Sequence, residues 1–178
     1  MRTIRTVAEL REALAHAGVA AFGLHPLQTV AHPDVRFEGV GAAVAGSTPD
    51  ALAFASGLAE RLGMTPFEID DDGRATYHAA ASVASNFVVT LQAAAERIAA
   101  GAGLEPEQAR RLLVPLLRRT VDNLAELGPE DALTGPVARG DAATVAAQRQ
   151  AVAEQAPELL DLFDVLVRHT RALAGAKV

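Results

Sequence analysis

The sequence predicts a mainly α protein: a small α/β segment to about residue 70, then an all-helical domain over residues 71–178. Three observations predict it. Short apolar runs that end in turn residues alternate with helical spacing only in the first third of the chain. From about Asp71 onward no strand-like run survives, and four long segments carry helix start and stop signals. The chain is 178 residues long and 50% hydrophobic, enough for a real core in one medium domain or two small ones.

The elements follow in order. "MRTIRTVAELREALAHAG" has the spacing of an amphipathic helix and lacks the unbroken apolar core of a secretory signal. "VAAFGLH" and "AAVAGS" read as strands. "DALAFASGLAERLG" reads as a helix stopped at Gly63, and "TPFEID" as a third strand. The first helix of the helical domain is expected over Arg74–Ala100, ended by "GAG". The second opens at Pro106 and runs to Leu127, with Gly128 and Pro129 as stop signals and a kink expected at Pro115. A third helix starts after Asp141, a good N-cap, and a fourth after Pro157. Leu159, Leu160, Leu162, Phe163, Val165, Leu166 and Val167 cover more than one face of that last helix, so a homodimer contact is expected there.

Composition excludes several classes. Zero cysteine removes disulfides, thiolate metal sites and a cysteine nucleophile, and fits a cytoplasmic setting. A net charge of −6 with scattered basic residues, and only seven aromatic residues, argues against nucleic acid. No segment is apolar and long enough to span a membrane as a helix. Small molecules and protein partners remain.

The stretch "YHAAASVASN" stands out. His78, Ser82 and Asn86 are spaced four and four, on one helical stripe with Ser85 beside them. Ala80, Ala84, Phe87 and Leu91 fall on the opposite face. No Asp, Glu, Lys or Arg occurs from Tyr77 to Ala95, so the polar stripe is expected to avoid open water and to bond a neighbouring helix, ordered water or a ligand. "ALTGPVARGD" combines an irregular backbone with the Thr134 hydroxyl and the permanent Arg139 cation. It reads either as a carboxylate-holding loop or as a connection whose Asp141 caps the next helix. "GLHPLQT" ends a strand, where α/β proteins place ligand contacts.

Taken together, "GLHPLQT", "YHAAASVASNF" and "ALTGPVARGD" resemble the Rossmann-like proteins that end in the helical domain of unknown function 2520. These are relatives of hydroxyacid dehydrogenases, pyrroline carboxylate reductase and ketopantoate reductase. The resemblance covers roughly Ala21 to Ala174. It implies that the α/β segment is the end of a Rossmann-type sheet, and that the helical domain binds substrate and forms a dimer in an NAD- or NADP-dependent oxidoreductase of small 2-oxo or 2-hydroxy acids. The motif positions it carries over for substrate binding are His25, Gln28, Thr29, Ser82, Thr134, Gly135 with Pro136, and Arg139, with His78 and Asn86 as catalytic residues. Hydroxyacid dehydrogenases present a lysine on the comparable helix, and Ser82 stands in its place here. His78 is then the remaining acid, since histidine titrates near neutrality. Arg139 is expected to grip a substrate carboxylate and Asn86 to orient a carbonyl or hydroxyl, with these residues converging on one cleft.

One departure from the family pattern is large. Dinucleotide binding of this kind rests on a strand, then G-x-G-x-x-G opening a helix, then an acidic residue about twenty positions on. The nearest cluster, "GVGAAVAG", has Val44 where the third glycine belongs and leads into a strand. The chain is therefore expected to be the second half of such a protein, by truncation or by natural loss of the cofactor half, and to bind neither NAD nor NADP tightly alone. Two other readings stay open: a non-catalytic module for small acids, and a helical protein-interaction domain.

Overall fold

The computed structural model describes residues 13, 14, 16–70 and 72–175. The amino-terminal helix expected from the sequence lies mostly outside the described residues, which include only a turn at residues 13–18. There the Ala17 amide donates to the Ala13 carbonyl, and Gly18, at φ +66°, ends the turn. The chain forms two compact units, Met1–Asn86 and Phe87–Val178.

The first unit is built on three strands. β1 (Phe22–Pro26) pairs antiparallel with β2 (Gly41–Gly46), and β2 pairs parallel with β3 (Thr65–Glu68), in the order β1-β2-β3. Helix α1 (Pro49–Arg61) connects β2 to β3, which makes a βαβ unit of the kind that parallel pairing requires. All three strands expected from the sequence are present. Thr48 caps α1 through its hydroxyl, which accepts from the Ala51 amide at 3.2 Å, and Pro49 at the first position supplies a helical φ. Gly63 closes the helix at φ +78°, where a Cβ would be strained.

The pleat of β2 sorts its residues between two faces. Ala42 and Val44 are buried against α1 together with Ala55, Ala59 and Met64, and this is the core of the unit. Small side chains predominate there because helix and strand approach closely. A Cβ on Gly46 would lie 2.3 Å from the Leu52 amide nitrogen. The other face carries Gly41, Ala43 and Ala45.

The helix expected over Arg74–Ala100 is divided. α2 (Arg74–Ala84) ends at Ser85, whose φ of −126° and ψ of −71° leave the helical region, and α3 (Asn86–Ala100) follows. The cause lies in the stripe itself. Ser82 Oγ donates to the His78 carbonyl at 3.0 Å, and Ser85 Oγ donates to the Ala81 carbonyl at 2.9 Å. Serine hydroxyls that bond back to the preceding turn compete with the helix and bend it. The division between the compact units falls at this break, later than the change of pattern at about residue 70, because α2 packs its tyrosine on the sheet.

In the second unit, α4 (Pro106–Ala132) keeps helical torsions through Pro115 and departs from them only at Gly128, at φ +78° and ψ 170°. A short helix α5 (Gly135–Ala138) precedes α6 (Ala142–Gln155). Asp141 caps α6 by accepting from the Thr144 amide at 3.0 Å and from the Thr144 hydroxyl at 2.6 Å. A 3-10 turn over Pro157–Leu159 leads into α7 (Leu160–Gly175). Ion pairs tie the helices. Arg110 donates to both carboxylate oxygens of Glu96, at 3.1 and 2.8 Å, and Arg149 to both of Asp164, at 2.8 and 2.8 Å. No helix of the described residues is long and apolar enough to cross a membrane.

Candidate functional site

The pairing register lines up three residues across the open face of the sheet. His25 on β1 stands opposite Ala43 on β2, and Ala43 opposite Phe67 on β3. Cross-strand partners point to the same side, so the histidine and the phenylalanine flank an alanine that leaves a gap between them. Tyr77, from α2, bridges that gap. Its ring meets His25 edge-on at 5.9 Å between centroids and Phe67 at 5.7 Å. Gly41 makes room for this packing, since a Cβ there would lie 3.1 Å from the Phe67 ring. His78, the next residue, brings its ring to 5.8 Å from that of His25.

The polar edge of this group is a hydrogen bond of 3.3 Å between His25 Nδ1 and the Tyr77 hydroxyl. The hydroxyl donates when Nδ1 is bare and accepts when Nδ1 carries its proton, so the pair can pass a proton through one contact. Burial raises the Tyr77 phenol above its ordinary range, which keeps it protonated at neutral pH. Both histidines are exposed. The arrangement can therefore hold a hydrogen-bonding ligand at the surface and exchange a proton with it. Among the described residues no group of three or more potential metal ligands occurs.

The residues singled out from sequence fall as follows. His25 and His78 are brought together. Gln28 is used within its own loop: its Nε2 donates to the Arg36 carbonyl at 3.2 Å and its Oε1 accepts from the Thr29 amide at 3.0 Å. The Ser82 hydroxyl donates to the His78 carbonyl at 3.0 Å. Asn86 opens α3 and accepts from Ser85 Oγ at 3.4 Å. Among the described residues the stripe is not sheltered as expected: the helix breaks within it, and His78 and Asn86 are both exposed. Thr134, Gly135, Pro136 and Arg139 lie in the second unit, where Thr134 precedes α5 and Arg139 ends it. Gly135 at φ +92° and Gly140 at φ +71° set that turn, and Arg139 is exposed. Asp141 is the helix cap of the plainer reading, and its carboxyl is held below the usual range, first by the Thr144 hydroxyl. Tyr77 was not among the expected site residues, although it is the one tyrosine in the chain and directly precedes His78.

Neither the Gly39–Gly46 segment nor the amino end of α1 fits the pyrophosphate of a dinucleotide. In the segment Gly39–Gly46, Val44 is buried in the core, Gly41 clears the Phe67 ring and Gly46 clears the α1 backbone. The amino end of α1 offers no anion cradle either: Pro49 has no N–H, the Ala51 amide is taken by Thr48, and Asp50 places a carboxylate in the first turn.

A small sheet with a βαβ unit, followed by a helical unit, defines a mainly α protein with a Rossmann-like end. The family described as Domain of unknown function (DUF2520) matches residues 40–170, and the chain belongs to that family. Two solved structures are similar to it. Protein TM1727 from Thermotoga maritima is 29% identical, with a TM-score of 0.74, over 88% of this chain and 62% of its own. Protein BF3122 from Bacteroides fragilis, described provisionally as an NADP oxidoreductase, is 23% identical, with a TM-score of 0.75, over 90% of this chain and 61% of its own. The chain thus spans about three fifths of the length of each. No curated protein sequence matches it.

Proposed function

We propose that this chain is the substrate-binding and dimerising portion of an NAD- or NADP-dependent, ketopantoate-reductase-like oxidoreductase of small 2-oxo and 2-hydroxy acids. The observation that carries the reading is the His25–Tyr77–His78 group in a chain of this family. Reduction of a 2-oxo acid adds a hydride to the carbonyl carbon and a proton to its oxygen. The groups of this chain serve the proton and the substrate: His78 supplies or accepts the proton, the His25–Tyr77 pair positions and recharges it, and Asn86 orients the oxygen. Arg139, in the same turn as Thr134 and Gly135, is the carboxylate contact. The hydride donor is NAD or NADP by resemblance, and its binding groups are not among the described residues. A cysteine-free composition supports a cytoplasmic setting.

A homodimer is part of the reading. Most apolar residues of α7 are half-buried within the unit, which leaves Val165 and Leu166 exposed at 39% and 40%. A longer exposed apolar row lies on α4, where Leu112, Leu116, Leu124 and Leu127 are all between 46% and 63% exposed. Such a row favours a second copy over water.

The test is a thermal-shift screen of the purified chain with ketopantoate, 2-oxobutanoate and lactate. A ligand at about 100 times its dissociation constant stabilises the folded state by about 2.7 kcal/mol, and the rise must shrink in His78→Gln and in Arg139→Gln. No shift from any acid at about 10 mM refutes the small-acid reading and leaves the interaction-protein reading.

A further inference from the structure

A pocket within the second unit plays no part in the reading above. It is a half-open groove of about 430 Å³ between α6 and α7, lined by Val145, Phe163 and Val167 together with Arg149, Arg168 and Arg171. That volume falls in the range of small-molecule sites. Arg149 is held rigidly, since its Nε and Nη2 both donate to the Asp164 carboxylate, which leaves Nη1 outside the pair. Arg168 and Arg171, three apart on one face of α7, make no ion pair with any described carboxylate. Three guanidinium groups against one carboxylate leave two uncompensated positive charges around an apolar lining, in a chain whose net charge is −6. Planar guanidinium forks match carboxylate and phosphate oxygens, and the Phe163 ring with its valine neighbours offers a surface for hydrocarbon.

We propose that this pocket binds a small organic anion, a carboxylate or a phosphate monoester, with an aromatic or hydrocarbon body. The anion sits on Arg168 and Arg171 with Arg149 Nη1 as a third donor, and the body lies on Val145, Phe163 and Val167.

The experiment is calorimetric titration of the full chain with phenyl phosphate, benzoate, inorganic phosphate and benzyl alcohol. At least one of the two aromatic anions should bind about ten-fold or more tighter than both inorganic phosphate, which lacks the ring, and benzyl alcohol, which lacks the charge. Tighter phenyl phosphate identifies a phosphate ester, and tighter benzoate a carboxylate. The double variant Arg168→Gln/Arg171→Gln should weaken binding about ten-fold or more, while Arg118→Gln on α4 leaves it unchanged. Both altered arginines are exposed, so folding should be retained, and a circular-dichroism melt verifies this. The thermal shift given by the 2-oxo acids must persist in the double variant, which separates this pocket from the substrate contacts proposed above. Equal binding of benzyl alcohol or inorganic phosphate, indifference to the double variant, or no heat with any aromatic anion at about 10 mM overturns the assignment.

Discussion

Gly46→Ala should strongly destabilise the first unit, although it adds only a methyl group at an unstrained backbone position. Gly46 is not among the glycines with positive φ, so the added Cβ costs nothing in backbone torsion. The cost is steric. That carbon would lie 2.3 Å from Leu52 N, 2.7 Å from Leu52 Cα and 2.8 Å from Leu52 Cβ. An ordinary carbon–nitrogen contact is about 3.5 Å, so β2 and α1 must separate by about 1 Å. Their interface has no slack, because Ala42, Ala55 and Ala59 are each 0% exposed. Overpacking a core costs about 1–3 kcal/mol when side chains can yield. Here the obstacle is helix backbone, so the loss should reach about 3 kcal/mol or more. For a chain of this size that lowers Tm by roughly 6–12 °C. The assay is urea and thermal unfolding by circular dichroism, with hydrogen exchange of the β2 and α1 amides locating the effect. Gly57→Ala is the internal control: it lies inside α1 with nothing within 4 Å of an added Cβ, and should stabilise by up to about 1 kcal/mol. If Gly46→Ala shifts stability by less than about 0.5 kcal/mol, close helix–strand approach is not what selects glycine there.

Three further outcomes are expected. Tyr77 is the only tyrosine and there is no tryptophan, so absorbance titration near 295 nm reads this phenol alone. Its midpoint should lie above the ordinary value near 10 in the folded chain and return to it in urea, and stability should fall as pH rises through the folded value; Tyr77→Phe should cost less than about 1.5 kcal/mol and move the His25 ring NMR signals at fixed neutral pH, because their hydrogen bond is lost. Glu96, Asp141 and Asp164 have folded-state values below the ordinary carboxylate range, because Arg110, Thr144 and Arg149 respectively bond the charged forms. The unfolded chain therefore takes up these protons first on acidification, so their contribution is present above the ordinary range and is lost as pH drops toward the folded values; a urea midpoint that does not fall between about pH 5 and pH 2 would contradict this. Sedimentation should show a dimer at tens of micromolar, and Leu116→Glu with Leu124→Glu should make it monomeric; a monomeric parent chain refutes the α4 contact.

The sequence alone determined the three strands, the helix that joins the last two, most of the later helices, and the resemblance to the family. Each strand was bounded by local turn chemistry, Gly63 and Asp141 announced a helix stop and a helix cap through backbone preferences that act within a few residues, and two loop motifs and one helical motif carried the resemblance. These signals are short-range, so a linear reading can recover them. What only the tertiary structure decided depends on registers between distant segments. The break at Ser85 arises when two serine hydroxyls bond back to the preceding turn, a competition that the four-residue spacing of the stripe does not reveal. The grouping of His25 with Tyr77 and His78 requires the β1-β2-β3 register, which sets His25, Ala43 and Phe67 in one row and leaves an alanine-sized gap for a tyrosine 52 residues away from the histidine it bonds. The segment "GVGAAVAG" already fails the phosphate-loop pattern in the sequence, and the fold shows that Gly41 and Gly46 serve packing. Spacing records that a residue lacks a side chain, whereas only the approach of Phe67 and of the α1 backbone shows what fills the room.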